Sequence, residues 1–162
     1  MKRLLVITLL STPLTAAAMG VHLSPEIKAG NLFGAGLQIG ATDVGKLAAL
    51  YLSYNQMSYD DTVYDHSSKS YRIGMQKMYG HDSRMGFQVE IGGAQYVGTR
   101  DLWNGPQHRK SNGLSLGGAY VYQASNSIAL RGGVDFNTYG MGNAYFAYGV
   151  QPSFSLGVIF NL

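Results

Sequence analysis

The stretch Ser153 to Leu162 limits what this chain can fold into more than any other. Leu162, Phe160, Val158, Leu156 and Phe154 form one apolar row. Between them stand Asn161, Gly157, Ser155 and Ser153, with Ile159 the one bulky exception. A strand sends alternate side chains to opposite faces, so this segment is apolar on one face and mostly small or polar on the other. Such a strand suits a sheet with hydrocarbon on one side and a polar interior on the other.

The same alternation recurs upstream. Val21, Leu23 and Ile27 oppose His22, Ser24, Glu26 and Lys28, with Pro25 weakening this segment as a central strand. Phe33, Ala35, Leu37 and Ile39 alternate with Gly34, Gly36, Gln38 and Gly40, and Leu50, Leu52 and Tyr54 with Tyr51, Ser53 and Asn55. Further rows are Tyr71, Ile73, Met75; Met85, Phe87, Val89, Ile91; Leu114, Leu116, Tyr120, Tyr122; and Ile128, Leu130, Val134, Phe136. The count is about eight strands, each near the roughly 9–11 residues that cross a bilayer at a tilt. Short connections near 41–45, 80–83 and 124–127 alternate with longer polar ones near 58–69, 99–112 and 138–147, while the first, near Gly30-Asn31, is short. That order predicts periplasmic turns and outer loops, with both termini on the periplasmic side.

The N-terminus reads differently. Lys2 and Arg3 precede the apolar run Leu4 to Leu10, and Thr15-Ala16-Ala17-Ala18 offers small residues for cleavage. This predicts a signal peptide over residues 1–18, too short to span a bilayer, and a barrel over 19–162. Removing Lys2 and Arg3 lowers the basic residues from 12 to 10 against 9 acids, and the formal charge from +3 to +1. The basic balance is therefore mostly targeting signal and points to no nucleic-acid partner. With no Cys, disulfides and thiolate metal sites are excluded together. The 12 Tyr and 6 Phe argue against a disordered chain.

The faces decide the kind of barrel. A soluble ligand-binding barrel turns its apolar residues inward, yet here one parity carries Arg72, Glu90, Arg131 and Asp135. With the apolar parity facing lipid, Tyr54, Tyr71 and Phe136 fall near the outer strand ends, and Tyr79, Tyr120, Tyr122 and Phe160 near the inner ends. These are the girdles that amphipathic rings favour at both interfaces. The expected fold is all-β, an antiparallel transmembrane barrel of about eight strands. The terminal strand resembles that of bacterial outer-membrane proteins. From about Val21 to Leu162 the chain looks like the small outer-membrane barrels, of which the OmpA transmembrane domain and OmpX are the nearest types. The resemblance implies residence in the bacterial outer membrane and contact with its lipid and lipopolysaccharide. It also implies delivery by periplasmic chaperones and the barrel-assembly machinery.

Three groups of residues are candidates for function. Glu26, Arg72, Glu90, Arg131 and Asp135 share the lumenal parity with Lys28, Gln76 and Gln88. A tube this narrow is filled by side chains, so these charges are expected to pair, Arg72 or Arg131 with Glu90 or Asp135. Asp60, Asp61, Asp65, His66, Ser67 and Ser68 cluster in the second outer loop, where acid, base and hydroxyl are ingredients of a nucleophilic site, with His66 and Ser68 the catalytic candidates. Small barrels include lipid A enzymes, a palmitoyltransferase and a deacylase, but the deacylase His-x-Ser-Asn run has no counterpart here. In the third outer loop, Arg100, Arg109 and Lys110 are placed to meet lipopolysaccharide phosphates. His22, His66, His81 and His108 show no ligand spacing, so neither metal nor cofactor is expected. The reading is a non-enzymatic barrel with a salt-bridged lumen, serving envelope integrity or surface interaction through its outer loops. A rim-site lipid A acyltransferase or deacylase, or a small pore, are the alternatives.

Overall fold

A computed structural model describes residues 20–61, 64–103, 105–140 and 142–162. The expected signal peptide lies outside the described residues. Eight antiparallel strands close into a barrel in chain order, β1 to β8, with β1 paired to β8. They are β1 (Val21–Gly30), β2 (Phe33–Val44), β3 (Leu47–Asp60), β4 (Tyr64–Tyr79), β5 (Met85–Leu102), β6 (Gly105–Gln123), β7 (Ile128–Thr138) and β8 (Val150–Asn161). Both ends of the described chain and the turns after β2, β4 and β6 share one rim, here called the lower. Closure removes every sheet edge within the wall, which is what a backbone in hydrocarbon requires.

The two faces invert the arrangement of a soluble protein. Ile27, Leu52, Ile73, Ile91, Leu130 and Leu156 stand exposed on the outside, while Glu26, Lys28, Arg72, Glu90, Arg131 and Asp135 are buried inside. Rings mark both borders of the apolar band: Tyr54 lies 5.1 Å from Tyr71 above, and Tyr79 6.2 Å from Phe87 and from Tyr120 below. The fold is therefore a transmembrane barrel.

Two details depart from the sequence reading. The polar stretches 58–69 and 99–112 are not loops. β3 continues to Asp60, β4 begins at Tyr64, β5 reaches Leu102 and β6 starts at Gly105, with the ladder unbroken through Leu102↔Gly105. Above the girdle both faces of these strands meet polar surroundings, so hydropathy loses its period while backbone pairing persists. Among the described residues the β7–β8 connection is the long one, running between Thr138 and Val150 with a short 3-10 turn at Ala147–Gly149. The second departure is Pro25, which sits at the centre of β1 rather than at an edge. The β1–β8 ladder pairs Leu23↔Phe160 and resumes at Glu26↔Gly157, passing over Ser24 and Pro25, while the β2 side stays paired through Pro25↔Leu37. Proline has no N–H to donate, and it is on the β8 side that pairing lapses.

Candidate functional site

The lumen is packed in three layers. The middle one is ionic: the cations Lys28, Arg72 and Arg131 meet the carboxylates Glu26, Glu90 and Asp135. These side chains come from β1, β4, β5 and β7, each from the inward parity of its strand. Lys28 pairs with Glu26 (3.1 Å) and Asp135; Arg72 with Glu90 (3.1 Å) and Asp135; Arg131 with Glu26 and Glu90 (3.5 Å). Each ion thus touches two of opposite sign, and the six charges cancel. Neutral donors fill the remaining capacity of Glu90, with Gln38 at 2.7 Å, Ser53 at 3.0 Å and Tyr51 at 3.2 Å. Arg131 Nε also donates to Gln88 (2.9 Å). Multiple partners per ion are what a desolvated charge requires. Gly117 makes the approach possible, because a Cβ there would overlap the Arg72 guanidinium and the Asp135 carboxylate.

Below the ions the filling is mixed: His22, Gln38, Gln88 and Gln76 form a hydrogen-bonded chain, with a small apolar cluster beside it. Val121, Ala129 and Ile159 are fully buried together, with Met78 against them. Ile159, which breaks the alternation of the terminal strand, is thus a plug at the lower rim.

Above the ions the filling is aromatic. Tyr96 and Tyr139 are buried with Ala94 and Ala144, and Tyr145 and Phe146 pack on them. This layer stands beyond the Tyr54–Tyr71 girdle, outside the apolar band. His66 and Ser68, read from sequence as members of a polar loop, belong to it: both lie on β4 and both point inward. The signal was available, since positions 66, 68, 70 and 72 share one parity. Tyr139 donates to Gln151 (3.0 Å), so the 2.6 Å contact between its oxygen and Ser68 has the serine as donor. The Tyr96 hydroxyl lies 2.7 Å from His66 Nδ1 and accepts the Tyr145 N–H (3.4 Å). Burial holds the His66 pKa below its ordinary value, opposed in part by Asp65. It also pushes the Tyr139 phenol up to about 12. His66 and Ser68 are each hydrogen-bonded to a different tyrosine, Tyr96 and Tyr139. Tyr96 and Tyr139 are the members that sequence reasoning missed.

The three basic residues expected to face lipopolysaccharide also separate. Arg109 turns inward, donating to the carbonyls of Gly142 (2.8 Å) and Ala144 (3.4 Å) and lying 4.4 Å over the Tyr145 ring. It holds the β7–β8 connection against β6. Arg100 shares the inward parity of Tyr96, and Lys110 faces out. On β4, Lys69 projects outward two positions above Tyr71, so Lys69 and Lys110 are the outward lysines of this region. Among the described residues, no group of three or more His, Cys, Asp or Glu is arranged to hold a metal ion.

No family model matches the sequence, and no curated protein matches it. Solved structures do. A major outer-membrane protein of Thermus thermophilus aligns with a TM-score of 0.65 at 12% identity, over 90% of this chain and 100% of that one. The Yersinia pestis outer-membrane protein Ail in a phospholipid bilayer nanodisc gives 0.63 at 10%, over 89% and 99%. The N-terminal barrel domain of Pseudomonas aeruginosa OprF gives 0.59 at 16%, over 88% and 97%. These likenesses concern architecture, and together with the inverted faces they identify the fold: an eight-stranded barrel of the small outer-membrane type.

Proposed function

We propose that this protein is a closed, non-enzymatic barrel of the bacterial outer membrane. It contributes to envelope integrity and presents its upper hairpins, with the β3–β6 wall rising above the girdle, as an interaction surface. The observation that carries the reading is the charge-balanced middle layer, in which three cations and three carboxylates pair with one another beneath an aromatic layer and above a hydrogen-bonded chain of glutamines and His22. An ion crossing the tube would have to break several of these contacts in a low-dielectric space. Lys69 and Lys110 are placed to meet phosphates of lipopolysaccharide just above the girdle, where charge-assisted contacts cost little desolvation. Both termini would then be periplasmic and the long β7–β8 connection external. The test is conductance of the purified full barrel in planar lipid bilayers at both polarities. No sustained current is expected; a stable open state would replace the closed barrel with a small pore.

A further inference from the structure

The lower rim carries a polar recess that none of the lumenal layers uses. A cavity of about 440 Å³ opens between the β4–β5 and β6–β7 turns, lined by Asp82, Ser83, Arg84, Gln123, Ser125 and Asn126. Hydrogen bonds preform both walls. On one side Gly80 (φ 92°) and Ser83 (φ 50°) reverse the chain, and the Ser83 N–H closes the turn on the Gly80 carbonyl (3.3 Å). On the other, the N–H groups of Ala124 and Ser125 donate to the Ile128 carbonyl (3.0 and 2.9 Å). The Gln123 side-chain nitrogen donates to the carbonyls of Ser125 (2.6 Å) and Asn126 (3.4 Å). The Gln123 backbone N–H then donates to the Arg84 carbonyl (2.7 Å), tying one turn to the other. Gln123 follows Ala119 and Val121 in the inward parity of β6, whereas Tyr120 and Tyr122 of the girdle share the outward one. The recess therefore belongs to the mouth of the tube and faces water rather than lipid.

Its charges point to a ligand. Asp82 supplies a carboxylate and Arg84 a guanidinium, and among the described residues neither has an ion-pair partner. With its nitrogen engaged, Gln123 presents its amide oxygen. The Ser125 hydroxyl oxygen accepts the Ile128 N–H (3.2 Å) and keeps its own proton to donate. From this we infer that the recess binds a small zwitterion of the periplasm, with one carboxylate and one primary ammonium on a body about the size of a dipeptide. The carboxylate meets the Arg84 fork, in the paired geometry that guanidinium favours, and the Ser125 hydroxyl. The ammonium meets Asp82 and the Gln123 oxygen. A simple anion would gain Arg84 but lie beside Asp82, and a simple cation the reverse, so only a ligand with both charges is matched throughout. The volume lies within the range of small-molecule sites. The inference uses the placement of the lower rim in the periplasm, proposed above, but not the closed lumen.

The test is a titration of the full, isotope-labelled barrel in detergent with dialanine, followed through the amide resonances of Ser83, Ser125 and Asn126. Saturable shifts confined to these turns are expected, with a dissociation constant of about 1 mM. N-acetyl-dialanine lacks the ammonium and dialanine amide lacks the carboxylate. Each is expected to bind at least about fivefold more weakly, and Asp82→Asn and Arg84→Gln to weaken dialanine itself as much. Unchanged strand resonances show that both variants are folded. No shift in the wild type, or equal binding by the blocked peptides or by both variants, overturns the inference. So does displacement of dialanine by dihexanoyl phosphatidylethanolamine, because the ligand would then be a lipid headgroup carrying the same two charges. Placement is read separately. The chain has no Cys, so Ser127→Cys in cells reports which side of the membrane the turn faces. Labelling by an impermeant maleimide is expected only after the outer membrane is opened; labelling of intact cells would put the recess outside and overturn a periplasmic ligand.

Discussion

The middle and upper layers fill one tube, yet they are built on opposite terms. Between the girdles six charges are interlocked so that each has two partners. Above them, tyrosines, a histidine and a serine meet through uncharged hydrogen bonds and ring contacts, such as His66 and Tyr96 at 5.9 Å and Tyr96 and Phe146 at 5.1 Å. The first arrangement is intolerant of partial loss, since removing one member leaves its neighbours charged and buried. The second consists of groups that are neutral and near water, where a lost partner is more easily replaced. Location relative to the membrane, rather than depth of burial, sets the chemistry of each layer.

Removing single members tests this contrast. Asp135→Ala strips one partner from both Lys28 and Arg72. It is expected to lower unfolding free energy in detergent–urea titration by about 3–5 kcal/mol. A loss below about 1 kcal/mol would mean that the ions behave as if hydrated. In the upper layer, Tyr139→Phe keeps the ring and deletes the hydroxyl that joins Ser68 to Gln151. Two modest bonds predict about 1–2 kcal/mol in the same titration. If this variant matched Asp135→Ala, the two layers would not differ in kind.

The smallest effect is one of pH. Burial favours neutral His66, whose pKa is lowered from an unfolded value near 6.5. The folded upper layer then binds fewer protons than the unfolded chain, so its stability is present above about pH 6.5 and declines as the pH falls below it toward the lowered folded value. Hydrogen exchange at the Tyr145 amide, which donates to Tyr96, reads this directly. Exchange is expected to quicken from about pH 7 to about pH 5 after correction for intrinsic rates, and His66→Gln to flatten that trend.

Much of this is legible in the sequence, for a reason that also sets its limit. Within the membrane band, lipid on one side and a polar tube on the other impose a two-residue period. Parity alone therefore assigns Arg72, Glu90, Arg131 and Asp135 to the interior. Once the strands leave the band the outer face meets water, the period vanishes, and Ser67 or Asn112 reads as loop although both are paired in the ladder. Parity could still have turned His66 and Ser68 inward. Nothing local, however, shows that Arg109 is occupied by the carbonyls of Gly142 and Ala144, which lie more than thirty residues along the chain. Partner choice within the ionic layer is likewise hidden, since Glu26 joins Arg131 only because β1 and β7 are brought to either side of β8 by closure.

The single tryptophan of the chain sits at the top of the β5–β6 hairpin and is 102% exposed. Its indole is hydrated whether or not the barrel has formed. Emission excited selectively at this residue should therefore stay red-shifted through unfolding, leaving tyrosine dichroism as the optical record of assembly. The same blindness makes Trp103 a selective reporter. A blue shift in the intact protein would signal something docking on the hairpin tip, with no label required.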